Sequence, residues 1–223
     1  MEEKVISVAE MREADRYTIE ELGVPSKELM RRAAQGVFDA VFAGEDLPED
    51  DVFSTVIFCG SGNNGGDGYA LAEIMKDEDL DVTVVRVSEK FSEDGKYYFD
   101  RCAEKGVRMM MYEDFLSGIK AMPESESQYD IIVDCMLGTG FSGVPREPIA
   151  GAIGLINKAG EDGAFVVAVD INSGMNGDTG EAVLAVKSDL TVSIGYYKHG
   201  FFTEEAKKWI GELENADIGI TLP

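Results

Sequence analysis

The distribution of apolar and polar residues along the chain changes character near residue 53. Before it, two segments carry apolar residues at helical spacing, one opened by a capping box from Ser7 to Glu10 and one following Pro25. One side of the second segment carries Leu29, Met30, Ala33, Ala34, Val37 and Phe38. We therefore expect a helical N-terminal lead-in of two amphipathic helices.

From residue 53 onward, short apolar and β-branched runs alternate with amphipathic segments, which is typical of β-α-β units and a parallel sheet. The runs predict strands at about 54–59, 81–87, 106–111, 129–134, 164–170 and 189–194. The amphipathic segments predict helices near 66–77, 92–105, 113–121, 147–159 and 203–208. The tail WIGELENADIGI has two short apolar runs, which predict edge strands or a hairpin.

Composition narrows the class of protein without changing this α/β prediction. The 223 residues suffice for one domain. Lys and Arg number 20 against 43 Asp and Glu, so the net charge of −23 repels nucleic acid and anionic membranes. We expect the acidic stretches GEDLPEDD and PESESQ to be solubilising surface. No signal peptide and no long apolar stretch is recognisable, so we expect a cytoplasmic protein with no nucleic-acid or membrane partner.

Three cysteines, Cys59, Cys102 and Cys135, lie in apolar or helical surroundings. Their number is odd and no C-x-x-C spacing occurs, which disfavours a disulfide framework or a zinc site. We expect buried structural thiols.

Polar residues follow the ends of several predicted strands. In an open parallel sheet, ligands bind beyond the carboxyl ends of the strands. Gly60, Asp134, Asp170 and Gly195 lie at these ends. A single aspartate in such a place is as often a cap as a site residue, but Asp134 and Asp170 together favour a site.

The first strand end leads into Gly60–Gly65, which fits G-x-G-x-x-G between a strand and a helix. No lysine and hydroxyl follow as in a P-loop, which disfavours an ATP or GTP motor. Asp67, expected in the first helical turn, would repel the pyrophosphate of an ordinary NAD site, and only Glu89 is placed to bind a ribose. The alternative role of Asp67 is to stabilise the helix dipole.

Asn63 and Asn64 are compatible with a tight turn or with a loop that binds a ligand or cation, and we favour binding. Oxygen atoms of Asn64, Asp134 and Ser173 suit a hard cation. The single histidine, His199, and the scattered cysteines disfavour zinc or iron, and His199 is predicted to be a partly exposed structural residue.

Two further glycine-rich loops follow the strands that end at Asp134 and Asp170. CMLGTGFSGVPREP places Pro148 near a helix start and offers backbone N–H groups to an anion. INSGMNGDTGEAV contains the turn-forming residues Asn176 and Asp178 and suggests a third wall of the site. Lys198, by default a surface lysine, is alternatively placed to meet an anionic ligand or to tune a carboxylate.

Taken together, the chain resembles the NAD(P)H-hydrate epimerase family, the YjeF N-terminal domain. The resemblance runs through SVAEMREADRYTIEELGVPSKELMRRAA, CGSGNNGGDGYALA, DCMLGTGFSG, DINSGMNGDTG, LTVSIGYYKHG and the ending ADIGI. It implies a Rossmann-like three-layer α/β/α sandwich with a mostly parallel central sheet, a single domain over 1–223 without a fused dehydratase domain, and a homodimer. The implied activity is interconversion of the R and S forms of hydrated NADH and NADPH, which carry a hydroxyl at C6 of the nicotinamide ring.

The resemblance also implies roles for individual residues. Asp170 contacts substrate and is our candidate for proton transfer, with Lys198 as its partner. The other implied substrate contacts are Asn63, Asn64, Gly65, Gly66, Asp67, Gly138, Thr139, Gly140, Phe141, Ser142, Gly143 and Val144. One potassium ion per subunit is implied at Asn64, Asp134 and Ser173. A separate NAD(P)H-hydrate dehydratase would act downstream.

Two departures from the family pattern lie near these residues: this chain has DINSG where the family commonly has D-I-P-S-G, and KHG where the family has K-P-G. Each departure replaces a proline, which makes the loop backbone less rigid. Asp170, Ser173 and Lys198 are retained. The alternative function is a non-catalytic nucleotide-binding or scaffolding module of the same fold. A plain NAD-dependent dehydrogenase is disfavoured by Asp67.

Overall fold

The computed structural model describes residues 4–42, 53–121 and 129–223; the stretches GEDLPEDD and PESESQ lie outside them. The helices are α1 (Val8–Glu20), α2 (Ser26–Phe42), α3 (Asn63–Asp77), α4 (Glu93–Glu104), α5 (Tyr112–Ala121) and α6 (Ile149–Glu161). The strands are β1 (Val5–Ile6), β2 (Ser54–Cys59), β3 (Asp81–Arg86), β4 (Arg108–Met111), β5 (Ile131–Cys135), β6 (Phe165–Val169), β7 (Ser188–Ile194), β8 (Tyr197–Lys198) and β9 (Ile210–Ala216).

Seven strands form the central sheet in the order β4-β3-β2-β5-β6-β7-β9, and every neighbouring pair is parallel. The order reverses between β2 and β5, so the loops after these two strands diverge there. The tail adds β9 to the edge of the sheet, parallel to β7, which confirms an edge strand and excludes a hairpin. A separate pair joins β1 to β8.

The sheet lies between two helical layers, which confirms the expected three-layer α/β fold. Side chains alternate along β2, so that Ile57 and Cys59 pack on the side of α1 to α4, and Val56 and Phe58 pack on the side of α5 and α6. Because both faces are covered, the strands read as continuous apolar runs in the sequence.

The predicted helix at 203–208 is wrong. The chain forms two short 3-10 helices instead, His199–Phe202 and Ala206–Lys208, and Thr203 between them has an extended backbone. The carbonyls of Thr179 and Gly200 share the single O–H of Thr203, and the Thr203 oxygen accepts from the N–H of Ala206. These side-chain bonds replace the backbone bonds that a continuous helix would make.

Other local predictions are confirmed. The Ser7 hydroxyl accepts from the N–H of Glu10, and the Glu10 carboxylate accepts from the N–H of Ser7, which completes the capping box of α1. The three thiols of Cys59, Cys102 and Cys135 are buried and free. No helix in the described part of the chain has the length and apolar content needed to span a membrane.

Candidate active site

A cavity of about 460 Å³ opens at the carboxyl ends of β2, β5 and β6, next to the point where the strand order reverses. Its volume is within the range of small-molecule sites, about 300–1000 Å³. We call it the site cavity. The loops after the three strands and the start of α3 contribute Ser61, Gly62, Asn63, Asn64, Asp67, Met136, Leu137, Gly138, Thr139, Gly140, Phe141 and Asp170.

The N-terminal helices and the chain after β9 form the rest of the wall. Their contributions, with one residue each from α4 and β7, are Met11, Arg12, Asp15, Ile19, Ser26, Leu29, Met30, Ala33, Asp94, Ile194, Ile218 and Ile220. We did not predict these residues. The amphipathic pattern of α1 indicates a buried face, but it does not show that part of this face borders a cavity.

Asp170 lies at the centre of the polar wall, directly after β6. Its backbone φ is 67°, a left-handed conformation that is uncommon for residues other than glycine. The carboxylate Oδ1 accepts from Nζ of Lys198 at 2.5 Å, and Oδ2 accepts from the N–H of Thr139 at 3.3 Å. One oxygen is thus held by a cation and the other by the backbone of the neighbouring loop.

Lys198 is completely buried, with 0% of its surface exposed, so the default expectation of a surface lysine is wrong. Its ammonium group donates to Asp170, to the hydroxyl of Ser193 at 3.2 Å and to the carbonyl of Ile194 at 2.8 Å. All three ammonium N–H bonds therefore have acceptors. Lys198 does not line the site cavity; it contacts the site through Asp170.

Asp134 and Ser173 lie behind the wall and are both fully buried. Oδ1 of Asp134 accepts from the Ser173 hydroxyl at 2.6 Å and from the N–H of Met136, and Oδ2 accepts from the N–H of Ser173 at 2.8 Å. Burial raises the pKa of Asp134 to about 6, although these hydrogen bonds lower it. Among the described residues no cation pairs with this carboxylate.

Asn64 extends the same network to the cavity. Its Nδ2 donates to the carbonyl of Leu137 at 2.6 Å, and the N–H of Leu137 donates to the hydroxyl of Ser173 at 2.8 Å. The Asn64 Oδ1 atom is buried and has no hydrogen-bond partner in the described part of the chain. A bound cation would provide a partner for the buried Asn64 oxygen and would balance the charge of the buried Asp134 carboxylate.

Asp67 lies in the second turn of α3, because the helix begins at Asn63 and not near residue 66. The expected place in the first helical turn is therefore wrong. Burial and the nearby carboxylates of Asp170 and Asp15 raise the pKa of Asp67 well above its usual range. Burial, together with Asp170 and Asp94, also raises the pKa of Asp15. The cavity wall thus favours the neutral form of both groups.

The glycines of the first loop and of the start of α3 allow α3 to pack against its neighbours. They do not form a loop whose backbone is open to a phosphate group. A Cβ atom on Gly60 would lie 1.9 Å from the carbonyl oxygen of Met136, and one on Gly65 would lie 2.2 Å from that of Gly60. A Cβ on Gly66 would meet Met30 of α2 at 2.4 Å. These glycines allow segments of the chain to pack closely against one another. The pattern G-x-G-x-x-G alone does not distinguish such packing from the close approach of a ligand.

Not every residue implied by the resemblance lines the site cavity. Those that do are Asn63, Asn64, Asp67, Gly138, Thr139, Gly140, Phe141 and Asp170. Gly65 and Gly66 are buried in α3, and Ser142, Gly143 and Val144 are exposed outside the cavity wall. The loop Gly138–Phe141 is the part of the second motif that faces the cavity.

The polar residues that follow Ser173 do not contribute to the cavity wall. Asn176 accepts from the N–H groups of Asp178 and Thr179, and Asp178 accepts from the N–H of Val8 at the start of α1. They stabilise a turn and the position of α1. The prediction that the loop INSGMNGDTGEAV forms a wall of the site is therefore wrong, because in this described stretch only Asp170, which precedes the loop, lines the cavity. His199 is exposed outside the cavity.

Comparison with known proteins assigns the family. A family model described as YjeF-related protein N-terminus matches residues 26–200. The chain belongs to this family. As a member of the YjeF-related family, it shares the three-layer fold with yeast ynu0, whose crystal structure matches with a TM-score of 0.74 at 21% identity, over 95% of this chain and 87% of the yeast chain.

Curated relatives of this YjeF-related chain match over nearly its full length. The NAD(P)H-hydrate epimerase of Lentilactobacillus buchneri (strain NRRL B-30929) is 32% identical, covering 97% of this chain and 95% of the relative. That of Limosilactobacillus reuteri (strain DSM 20016) is 34% identical, covering 98% of each. The Bifunctional NAD(P)H-hydrate repair enzyme Nnr of Coxiella burnetii is 33% identical, covering 95% of this chain and 41% of the relative.

Proposed function

We propose that the protein is an NAD(P)H-hydrate epimerase, which interconverts the R and S hydrates of NADH and NADPH. The observation that carries the proposal is the carboxylate of Asp170, which lines the site cavity and is paired with the buried ammonium of Lys198. Membership of the YjeF-related family and the names of the full-length relatives support the same activity.

Epimerisation at C6 requires the hydroxyl to leave and to return on the other face of the ring. As the C6–O bond breaks, the lone pair of the ring nitrogen forms a C6=N bond, and the departing oxygen takes a proton to become water. Water then adds to the opposite face and gives the proton back. A positioned acid-base group is needed for both transfers.

Asp170 and Lys198 supply this proton in the proposed mechanism. Transfer from Nζ of Lys198 to Oδ1 of Asp170 leaves a neutral pair, and the carboxyl group then protonates the leaving hydroxyl. The reverse transfers restore the ion pair after water has added. Thr139 holds the other carboxylate oxygen, so the group keeps its orientation through both steps.

The proposal includes a potassium ion held by Asn64, Asp134 and Ser173. The unpartnered Oδ1 of Asn64 and the buried carboxylate of Asp134, which lacks a cation in the described part of the chain, support it. The ion would neutralise Asp134 and connect the loops that follow β2, β5 and β6. A homodimer, a cytoplasmic location and a separate dehydratase that consumes the S hydrate belong to the same proposal; light scattering of the purified protein tests the dimer.

The activity is tested by mixing the protein with R-NADHX and an S-specific dehydratase and following the absorbance of regenerated NADH. We expect regeneration faster than spontaneous epimerisation. Asp170→Asn should reduce the rate by about 100-fold or more, since it removes the acid-base group. The matched control is Asp100→Asn on the exposed side of α4, which should keep the rate. Nucleotide binding without turnover in the parent protein would instead support the non-catalytic module.

The ion is tested by thermal unfolding in potassium chloride and in choline chloride at equal ionic strength. Potassium should raise the unfolding temperature, because a ligand of the folded state stabilises it. Ser173→Ala should abolish the difference between the salts, whereas Ser188→Ala, at another buried and hydrogen-bonded serine, should keep it. Equal unfolding temperatures of the parent protein in both salts would refute the potassium site and leave the epimerase proposal intact.

A further inference from the structure

The site cavity offers an anionic ligand little positive charge, although burial raises the pKa values of Asp15 and Asp67 and so favours their neutral forms. Four aspartates line it, namely Asp15, Asp67, Asp94 and Asp170, within a chain of net charge −23. The charge of Asp170 is balanced by Lys198, whose N–H groups all have acceptors. A dinucleotide carries a diphosphate with two negative charges, so a cation on the cavity wall would favour its binding.

Arg12 is the one Lys, Arg or His side chain that lines the site cavity among the described residues. It projects from α1 and is solvent exposed. Its Nη2 donates to the carbonyl oxygen of Thr139, which places the guanidinium against the Gly138–Phe141 loop. The cation thus lies beside the loop that presents glycine backbone to the cavity.

Most of the hydrogen-bonding capacity of Arg12 is unused. A guanidinium has five N–H donors, and the contact with Thr139 is the one bond of Arg12 that the described residues provide. Arg16, one turn further along α1, differs because it is paired with Glu13 and Glu20. The free fork of Arg12 matches the paired oxygens of a phosphate group.

Arg86 is a weaker candidate for phosphate binding. Its guanidinium stacks on the rings of Phe91 and Phe99 and donates to the carbonyls of Ser88 and Glu89. It does not line the site cavity. These contacts give Arg86 a structural role at the end of β3.

We propose that Arg12 binds the diphosphate of the substrate and thereby makes α1 part of the substrate-binding site. This inference rests on the proposed epimerase function for the identity of the substrate. It assigns specificity for a dinucleotide over an uncharged ligand to a residue outside the strand-end loops. The guanidinium would reach the phosphate from α1, beside the backbone of Gly138–Phe141.

The experiment compares Arg12→Met and Arg12→Lys with the matched control Arg16→Met on the same helix. Two measurements are made: steady-state epimerisation of NADHX, and calorimetric binding of ADP-ribose, which carries the diphosphate but no nicotinamide. For Arg12→Met we expect about tenfold or more weaker ADP-ribose binding and a similar rise in KM, since a charge-assisted bond to phosphate is lost. The value of kcat should change by less than about threefold, because the reacting groups stay in place.

Arg12→Lys should fall between the parent and Arg12→Met, because it keeps the charge but loses the fork. Arg16→Met should match the parent. Unchanged ADP-ribose affinity with a lowered kcat in Arg12→Met would overturn the proposal and make Arg12 a positioning residue that acts through Thr139. A parent protein that binds ADP-ribose without epimerising NADHX would refute the proposed function alone, and the affinities of the variants would still decide the role of Arg12.

Discussion

At the scale of single residues, Asp170 combines an uncommon backbone conformation with a buried cation as its partner. A left-handed backbone costs an aspartate on the order of 1 kcal/mol, which the rest of the fold must offset. The ion pair with Lys198 and the N–H of Thr139 fix both carboxylate oxygens. The conformation therefore aims the side chain at the site cavity.

Replacing Lys198 tests this pairing. Lys198→Met leaves the carboxylate of Asp170, 13% exposed, without its cation. We expect a loss of about 3 kcal/mol in the free energy of unfolding, as for other buried pairs that lose one partner. Epimerisation should fall by about 100-fold, because the proton source is gone. Denaturant unfolding and the coupled assay measure the two effects.

Two further variants show whether the effect of Lys198→Met arises from the pair. The double variant Asp170→Asn, Lys198→Met should regain part of the lost stability but no activity, since the unpaired charge is removed. Lys187→Met, at an exposed lysine, should leave both properties unchanged. A Lys198→Met protein as stable as the parent would show that the pair does not stabilise the fold.

Asp67 allows a prediction about pH. Because folding raises the pKa of this carboxyl group, the folded state holds the proton more tightly than the unfolded state does. Its contribution to stability is therefore complete below the unfolded pKa of about 4 and is lost as the pH rises toward the folded pKa. The Asp67→Asn variant has no carboxyl group to ionise at this position and does not lose this stability. The free energy of unfolding of the variant relative to that of the parent should therefore increase with pH. Denaturant unfolding between acidic and mildly alkaline pH measures the difference; a constant difference would contradict the raised pKa.

At the scale of elements, α3 illustrates how glycines fix the position of a helix relative to a sheet. The Gly60 backbone contacts the carbonyl of Met136 after β5, and a methyl group there would require the two strand ends to separate. Gly62, two residues on, has no atom within 4 Å of the place that a methyl group would take, and its φ of −91° is ordinary. Two glycines of one loop thus have different roles.

The pair Gly60→Ala and Gly62→Ala tests this difference. Gly60→Ala should destabilise the protein by about 2–3 kcal/mol, as overpacking against fixed backbone does. Gly62→Ala should change the free energy of unfolding by less than about 0.5 kcal/mol, as an exposed substitution without contacts does. Denaturant unfolding of both variants measures the effects. Equal stability of the two variants would contradict the packing role of Gly60.

Much of the arrangement of strands and helices was predictable from the sequence. Buried apolar runs that end in Asp134 and Asp170 predicted both strands and the edge of the sheet where the site lies, because parallel strands share their direction. The placement of α1 was not predictable, since an amphipathic pattern shows that a face is buried but not what covers it. The helix predicted at 203–208 failed because hydrogen bonds of Thr203 to distant backbone outweigh local helical preference.

The burial of Lys198 could not be inferred from its neighbours in sequence either. The short run GYYKHGFF mixes aromatic and charged residues just after a strand, and pairing of β8 with β1 covers Lys198 only in the folded chain. Likewise, Arg12 and Asp15 join the site through tertiary packing. Local patterns identify the strand-end loops, whereas the groups that complete their charge balance come from distant segments.

At the scale of the whole molecule, the net charge of −23 destabilises the compact state by self-repulsion. Salt screens this repulsion, so the unfolding temperature should rise by a few degrees between low salt and physiological ionic strength. Choline chloride is the salt to use, because its cation is too large for the proposed potassium site. An unfolding temperature that falls or stays constant in calorimetry would show that the charges are arranged without net repulsion.

Met11 and Ile220 line the same cavity, although nearly the whole sequence separates them. A ribosome makes the chain from the N-terminus onward, so α1 emerges long before the segment after β9 that completes the cavity wall. The pocket therefore cannot assemble while the polypeptide is still growing through its middle portion. Nascent chains released early would lack a complete pocket, which makes catalytic competence a late event in biosynthesis.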